Sequence, residues 1–166
     1  MVGNRILVAA VVALAAGDSL RAQGPAVAFT PRAGFGGRSE GNGTLRLLLG
    51  KPRPFHVESS GHDRPDGTFQ LDQAITSRGK PTQHRTWVMT AVGPHQYAAT
   101  LTDAAGVVAA RTDGNRLSLR YRYAGPFVVH QTLELMPGGR TIDNVGWITL
   151  LGLPVARLHE TIVRKE

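Results

Sequence analysis

The stretch NRLSLRYRY, residues 115–123, alternates apolar and polar side chains without a break. Leucine or tyrosine occupies every second position from Leu117 to Tyr123, and arginine or serine occupies the positions between them. Successive side chains of a β-strand point to opposite faces, so this alternation is typical of a strand with one buried and one solvated face. The stretch therefore predicts a half-buried strand.

The same period of two recurs along the chain. It is clear in FVVHQTLEL, which begins at Phe127, and in HQYAATLT, which begins at His95. Groups of Gly, Pro, Asp and Asn separate such runs at short intervals and predict turns between them. The predicted strands lie near residues 43–50, 55–60, 67–76, 83–92, 95–102, 106–111, 115–124, 127–136, 140–150 and 155–164.

The short links between these strands predict the fold class. Parallel neighbours need long crossovers, so consecutive strands are expected to be antiparallel. A series of such strands leaves exposed edges unless it closes on itself. The sequence therefore predicts an all-β fold, a closed antiparallel up-and-down barrel of roughly eight to ten strands whose interior holds side chains or a small ligand. A two-sheet sandwich is the alternative.

The residues before the barrel are interpreted separately. Residues 1–22 have a positive Arg5, an apolar run that ends at Ala16 and then small residues, the pattern of a secretory signal peptide. Cleavage is expected after Ala22, with Gly17 as the alternative, and an ordinary N-terminal helix is the competing interpretation. Residues 23–42 are predicted to be an extended lead-in, and the glycine-rich stretch 34–44 to close one end of the barrel. Residues 43–166 are predicted to form the single barrel domain, in the periplasm or secreted.

Composition limits the partners that the protein is expected to have. The 166 residues carry a formal net charge of +7 and contain no cysteine, which excludes disulfides and thiolate zinc sites. The positive charge indicates an anionic neighbour, such as a membrane surface or a charged ligand. Nucleic acid is not expected, because the arginines are spread along the chain rather than clustered. The oligomeric state is left open.

Motifs for catalysis or metal binding are weak. SRGK, starting at Ser77, matches S-x-x-K, but it falls in a predicted hairpin loop where nothing holds the lysine against the serine. The six histidines are scattered without the spacing of a metal site. No catalytic residue, metal or cofactor is predicted.

Two polar residues break the alternation and mark a candidate site. Gln73 lies on the apolar phase of its strand, and Arg85 lies on the phase that also carries Trp87. A buried guanidinium is costly unless it is paired, so Arg85 requires acceptors or an open, wet barrel end. The candidate acceptors are Asp103, Asn115, Gln131 and the hydroxyls of Tyr97, Tyr121 and Tyr123. The alternative is an arginine that stacks on Trp87 and plugs the barrel.

The string LDQAITSRGKPTQHRTW, residues 71–87, resembles the strand-turn-strand core of a bacterial family known as domain of unknown function 3833. That family has Leu-Asp-Glu, a polar turn with glycine and then Arg-x-Trp. Further matches are Tyr97, TDA from Thr102 with Gly106, Gly114-Asn115 and residues 152–155. The chain departs from the family at Gln73, where glutamate is usual, and in lacking an acidic Asp-Asp-Trp stretch late in the sequence. The resemblance spans residues 29–164 and implies a lipocalin-like barrel without an established activity.

These observations favour an exported barrel that binds a small, largely apolar or amphipathic ligand, with an anionic head as one variant. The predicted ligand-binding residues are Gln73, Arg85, Trp87, Tyr97, Tyr121 and Gln131. One alternative is a small-molecule enzyme that uses Asp103 and Arg85 for acid–base chemistry at the barrel mouth. Another is a structural envelope protein whose arginine-rich face on the strand of residues 115–123 docks onto an anionic membrane.

Overall fold

The computed structural model describes residues 27–123 and 125–166. The predicted signal peptide therefore lies outside the described residues. One short helix, α1 (Pro31–Phe35), precedes ten strands. The strands are β1 (Gly37–Leu47), β2 (Arg53–Asp63), β3 (Phe69–Ser77), β4 (Gln83–Gly93), β5 (Gln96–Leu101), β6 (Ala104–Asp113), β7 (Arg116–Tyr123), β8 (Phe127–Leu135), β9 (Thr141–Leu150) and β10 (Leu153–Arg164).

The strands form one closed antiparallel barrel. Each strand pairs with its neighbours in sequence, and β1 also pairs with β10, which closes the sheet. This arrangement confirms the predicted up-and-down barrel, and the sandwich alternative is wrong. The β1–β2, β3–β4, β5–β6, β7–β8 and β9–β10 links all lie at one end of the barrel, and we call this end the mouth.

The alternation in residues 115–123 has the predicted consequence. Leu117, Leu119 and Tyr121 on β7 are buried, whereas Ser118 and Arg120 between them are exposed. The apolar phases of the other strands meet them inside the barrel and form one core cluster. Among the described residues, no helix is long and apolar enough to cross a membrane.

The predicted lead-in is wrong in its second half. The chain forms α1 at Pro31 and enters β1 at Gly37, six residues before the predicted first strand. Gly41 and Gly43 lie within β1. Glycine occupies these two positions because a larger side chain would collide with its neighbours inside the barrel. A Cβ on Gly41 would lie 2.1 Å from Oε1 of Glu160, and one on Gly43 would lie 2.2 Å from Cζ of Phe55. Glycine in this strand marks close approach rather than a loop.

The end opposite the mouth is filled by residues that precede β1. The rings of Phe29 and Phe35 pack edge to face with their centroids 5.7 Å apart, and both are buried. The N–H of Phe29 donates to the carbonyl oxygen of Gly114 at 2.8 Å. The Arg164 guanidinium donates to the carbonyl of Ala33 in α1. These contacts close one end and leave the mouth as the route into the barrel.

Candidate functional site

A cavity of about 680 Å³ extends along the barrel from the mouth to Phe35 at the closed end. This volume is in the range of small-molecule sites, on the order of 300–1,000 Å³. Most of its wall is apolar. The apolar lining includes Leu45, Phe55, Val57, Leu71, Ile75, Trp87, Leu119, Val129, Ile148 and Leu158.

Six polar side chains interrupt the apolar wall near the middle of the barrel, and we call them the polar belt. They come from β3, β4, β7, β8, β9 and β10, and each occupies a position of the inward phase. The belt consists of Gln73, Arg85, Tyr121, Gln131, Asn144 and Glu160.

Four members of the belt form a continuous chain of hydrogen bonds. The Tyr121 hydroxyl donates to Oε1 of Gln131 at 3.3 Å. The amide of Gln131 donates to Oδ1 of Asn144 at 3.3 Å. The Asn144 amide in turn donates to Oε2 of Glu160 at 2.9 Å. Each donor and acceptor lies on the strand beside that of its partner, so strand pairing fixes the chain.

Glu160 ends this chain with an unsatisfied oxygen. The side chain is 6% exposed, and among the described residues its Oε1 has no hydrogen-bond partner. Burial raises the pKa of the carboxyl, while the Asn144 hydrogen bond and the Arg85 charge act in the opposite direction. The net result is a pKa above the ordinary value of a glutamate. Oε1 itself is buried against β1, because a Cβ added to Gly41 would lie 2.1 Å from it.

Tyr121 is a neutral donor at the other end of the chain. Burial raises the pKa of its phenol to about 12, so the hydroxyl keeps its proton at physiological pH. Its ring packs edge to face on Trp87, with the ring centroids 5.6 Å apart. This aromatic pair forms a rigid part of the cavity wall.

Gln73 satisfies the indole of Trp87. The indole Nε1–H donates to Oε1 of Gln73 at 2.9 Å, and the Gln73 amide reaches Oγ of Ser59 at 3.4 Å. A buried tryptophan needs such an acceptor for its single N–H. The need of the Trp87 indole for an acceptor therefore explains in part why a polar residue, Gln73, occupies the apolar phase of β3.

Arg85 is paired with Asp103, one of the predicted acceptors. Nε of Arg85 lies 2.8 Å from Oδ2 of Asp103, in a contact that lacks the alignment of a hydrogen bond and is best described as an ion pair. The guanidinium lies 5.6 Å from the centroid of the Tyr123 ring and does not stack on Trp87, as the plug alternative required. Asp103 lies in the turn between β5 and β6 and is not part of the cavity wall.

The wall near the mouth is cationic. Arg53 at the start of β2 lines it, together with Arg78 and Lys80 in the β3–β4 loop. Among the described residues that line the cavity, Glu160 is the single acidic side chain, and it lies in the belt. The cavity thus has an apolar wall, a polar belt part-way along it and a positive mouth.

The structure brings together five of the six predicted site residues. Gln73, Arg85, Trp87, Tyr121 and Gln131 all line the cavity. The sixth predicted residue is not in the cavity wall.

That residue, Tyr97, is the second residue of β5 and packs against the core near the closed end. Asn115, a predicted acceptor for Arg85, instead donates to the carbonyl oxygen of Leu135 at 3.0 Å.

Asn144 and Glu160 were not among the predicted site residues, although the sequence carries a signal for both. Asn144 follows Ile142 on the inward phase of β9, and Glu160 precedes Ile162 on that of β10. Each is a polar side chain on an otherwise apolar phase, the rule that identified Gln73.

In the described part of the chain, no three His, Cys, Asp or Glu side chains lie close enough together to hold a metal ion.

The sequence matches a family over residues 8–135, and this family is described as "Protein of unknown function (DUF3833)". The chain belongs to the DUF3833 family. No curated protein matches the sequence.

Two solved structures share the barrel of this DUF3833 protein. An S-type phycobiliprotein lyase from Guillardia theta superposes with a TM-score of 0.63 at 8% identity, covering 79% of this chain and 88% of the lyase. A DUF3598 protein of unknown function from Nostoc punctiforme also has a TM-score of 0.63, at 12% identity, over 83% of this chain. The DUF3833 chain spans 50% of that protein. At these identities the likeness concerns the fold alone.

Proposed function

We propose that this DUF3833 protein binds a small, largely apolar ligand inside its barrel. The observation that carries the proposal is the cavity of about 680 Å³, which is apolar along most of its wall and open at the mouth. An apolar molecule that enters it is removed from water, which contributes about 25 cal/mol per Å² of buried apolar surface. The few placed polar groups of the belt give orientation.

Charge favours an amphipathic ligand with its anionic head at the mouth. Arg53, Arg78 and Lys80 surround the outer part of the cavity. Arg85 is a poorer anion site than the sequence indicated, because Asp103 already neutralises its charge. The apolar part of the ligand then lies against Trp87 and the aliphatic wall, with the belt around it.

The phycobiliprotein lyase shows that a barrel of this fold can belong to a protein that acts on another molecule, which is consistent with the proposal. It does not identify the ligand, since the identity is 8%. The class of ligand is inferred from the lining residues of this chain.

Acid–base catalysis by Asp103 and Arg85 is less well supported than ligand binding. Asp103 is directed at Arg85 and is not part of the cavity wall, so it does not face a molecule held there. The acidic group that lines the cavity is Glu160, and burial raises the pKa of its carboxyl.

Export remains part of the proposal, and the N-terminal sequence supports it. Arg5 and the apolar run that follows it have the pattern of a cleaved signal peptide. Intact-mass measurement of the protein recovered from the periplasm of an expressing bacterium tests this. A mass that begins at Gln23 is expected, and a cytoplasmic protein that retains Met1 would contradict it.

The binding proposal is tested with an amphipathic anion, anilinonaphthalene sulfonate, and with native mass spectrometry of the purified protein. Ile75→Trp places a large ring in the cavity, whereas Thr76→Trp places the same ring on the outer face of β3. The wild type and Thr76→Trp are expected to bind the dye, and Ile75→Trp to bind at least tenfold more weakly while remaining folded by circular dichroism. Equal binding by all three proteins would overturn the proposal.

A further inference from the structure

Four leucines are exposed beside one another at the mouth, and we call them the leucine rim. Leu48 and Leu49 lie in the β1–β2 loop and are 75% and 87% exposed, while Leu151 and Leu153 at the β9–β10 turn are 84% and 70% exposed. The β1–β2 loop is joined to the start of β10 by a hydrogen bond from the N–H of Leu48 to the carbonyl oxygen of Val155 at 2.8 Å. Adjacent exposed leucines of this kind mark an interaction surface rather than a packing requirement.

The backbone of Leu151 strengthens this interpretation. Its φ of 51° lies in the left-handed region, where a leucine side chain is strained. Asparagine or glycine adopts this conformation more easily at a turn. A leucine that is both strained and exposed contributes little to folding, so its presence needs another explanation.

The leucine rim is surrounded by positive charge. Lys51 and Arg53 lie within four residues of Leu49 in the chain, and both are exposed. In the described loops of the mouth end the single acidic residue is Asp103, which is already paired with Arg85. Acidic residues instead occur at the closed end, where Asp63, Asp66 and Asp113 lie. The barrel therefore presents a positive end that carries its exposed leucines.

An exposed tryptophan lies near the same end. Trp147 on the outer face of β9 is 48% exposed, three residues before that strand ends at the mouth. Its ring lies 5.0 Å from the guanidinium of Arg157 on β10. Tryptophan and arginine together are typical of the boundary between lipid headgroups and acyl chains.

We propose that the leucine rim docks the open end of the barrel onto an anionic lipid bilayer. The four leucines enter the acyl-chain boundary, and Lys51 and Arg53 contact the negative headgroups. The cavity mouth then faces the bilayer. The inference goes beyond ligand binding and does not depend on it, because the rim leucines and Lys51 do not line the cavity. Arg53 is shared by the two surfaces.

The docking surface differs from the one that the sequence indicated. Arg120 and Arg122 on β7 are exposed and supply positive charge, but their outer strand face carries no rim leucine. Charge without insertion gives weak, salt-sensitive attraction, whereas charge combined with apolar insertion gives stable association. These two arginines therefore provide a charge-matched control.

The test is co-sedimentation of the full chain with phosphatidylglycerol–phosphatidylcholine vesicles and with phosphatidylcholine vesicles alone. The wild type is expected to bind the anionic vesicles. Leu48→Ser with Leu49→Ser should weaken the partition coefficient at least tenfold, since two inserted side chains are lost. Lys51→Gln with Arg53→Gln should weaken it about 25-fold, which corresponds to about 1 kcal/mol for each cation.

Arg120→Gln with Arg122→Gln removes the same charge from β7 and should leave binding within about twofold of the wild type. The opposite ranking of the two charge variants would overturn the proposal in favour of the β7 face. Equal binding to both kinds of vesicle, or to neither, would also overturn it. Light scattering in the absence of lipid tests whether the rim binds a second copy of the chain instead. A wild-type dimer that becomes a monomer in the variant with Leu48→Ser and Leu49→Ser would show this and overturn the proposal.

Discussion

Asn144 and Glu160 face each other across β9 and β10, and the Asn144 amide donates to Oε2 of the glutamate at 2.9 Å. This contact satisfies one carboxyl oxygen and leaves Oε1 buried beside Gly41 without a partner among the described residues. An ionised carboxylate in that position loses hydration that one amide does not replace. The protonation state of Glu160 therefore couples the stability of the barrel to pH.

Glu160→Gln is expected to stabilise the protein at neutral pH by about 1–3 kcal/mol, because it removes a buried group that is costly to ionise. The folded state raises the pKa of Glu160 above its ordinary value of 4.5. The wild type therefore has its full stability below that pH and loses it as the pH rises through the raised pKa. The two proteins should be equally stable in acid and diverge upward from about pH 4.5.

Urea denaturation at a series of pH values measures this divergence. Glu58→Gln changes an exposed carboxylate on β2 and serves as the control, with no divergence expected. A Glu160→Gln effect that is the same at every pH would show that the substitution acts through packing rather than ionisation.

The ion pair of Arg85 and Asp103 supplies a second prediction. Their side chains are 22% and 30% exposed, so removing one partner leaves a partly buried charge. Arg85→Gln is expected to lower the free energy of unfolding by about 1–2 kcal/mol, less than for a fully buried pair. The double variant with Asp103→Asn should recover part of this loss.

A double-mutant cycle from urea denaturation gives the coupling energy of the pair. Arg116 and Glu134 form the control pair, with side chains that are 60% and 38% exposed. Their cycle should give less than about 0.5 kcal/mol, as is usual at a surface. If the coupling energy of Arg85 and Asp103 were no larger, the pair would not stabilise the cavity wall.

Most of the fold was predictable because the alternation reports directly which face of a strand is buried. Leu117 and Leu119 show this on β7, and the short turns then require antiparallel closure. The exception is β1, where Gly41 and Gly43 resemble a loop in the sequence. Only their neighbours on the adjacent strands β10 and β2, Glu160 and Phe55, explain why glycine occupies these positions.

The sequence predicted which side chains point into the barrel, but it did not predict how far each of them lies from the mouth. Inward position identified Gln73 and Arg85, and the same rule was available for Asn144 and Glu160. The distance of a residue from the mouth depends on the stagger of the strands, which alternation does not report. Tyr97 packs against the core as predicted from its phase, but it lies near the closed end and does not line the cavity.

The covering of the closed end gives a third prediction. A Cβ on Gly61 would lie 2.1 Å from the carbonyl oxygen of Phe35 and 2.7 Å from the ring of Phe69. Gly61→Ala is expected to destabilise the protein by about 1–3 kcal/mol, because the backbone of α1 must move to admit the methyl group.

Thermal unfolding followed by circular dichroism measures this loss. Gly43→Ala is the matched control, since the atoms it would meet belong to the half-buried ring of Phe55, which can move aside. The control should cost less than Gly61→Ala. If Gly43→Ala cost more, the contact between α1 and β2 would not be the tight one that the distances indicate.

Leu151 allows stability and membrane docking to be separated. Its φ of 51° suits asparagine better than leucine, so Leu151→Asn is expected to raise the free energy of unfolding by about 1 kcal/mol. The same change removes an exposed apolar side chain from the leucine rim and should weaken binding to anionic vesicles several-fold. Urea denaturation and vesicle co-sedimentation of one variant measure both effects. A gain in stability with unchanged vesicle binding would show that Leu151 does not insert, whereas opposite changes would show that the strained leucine is retained for docking at the expense of stability.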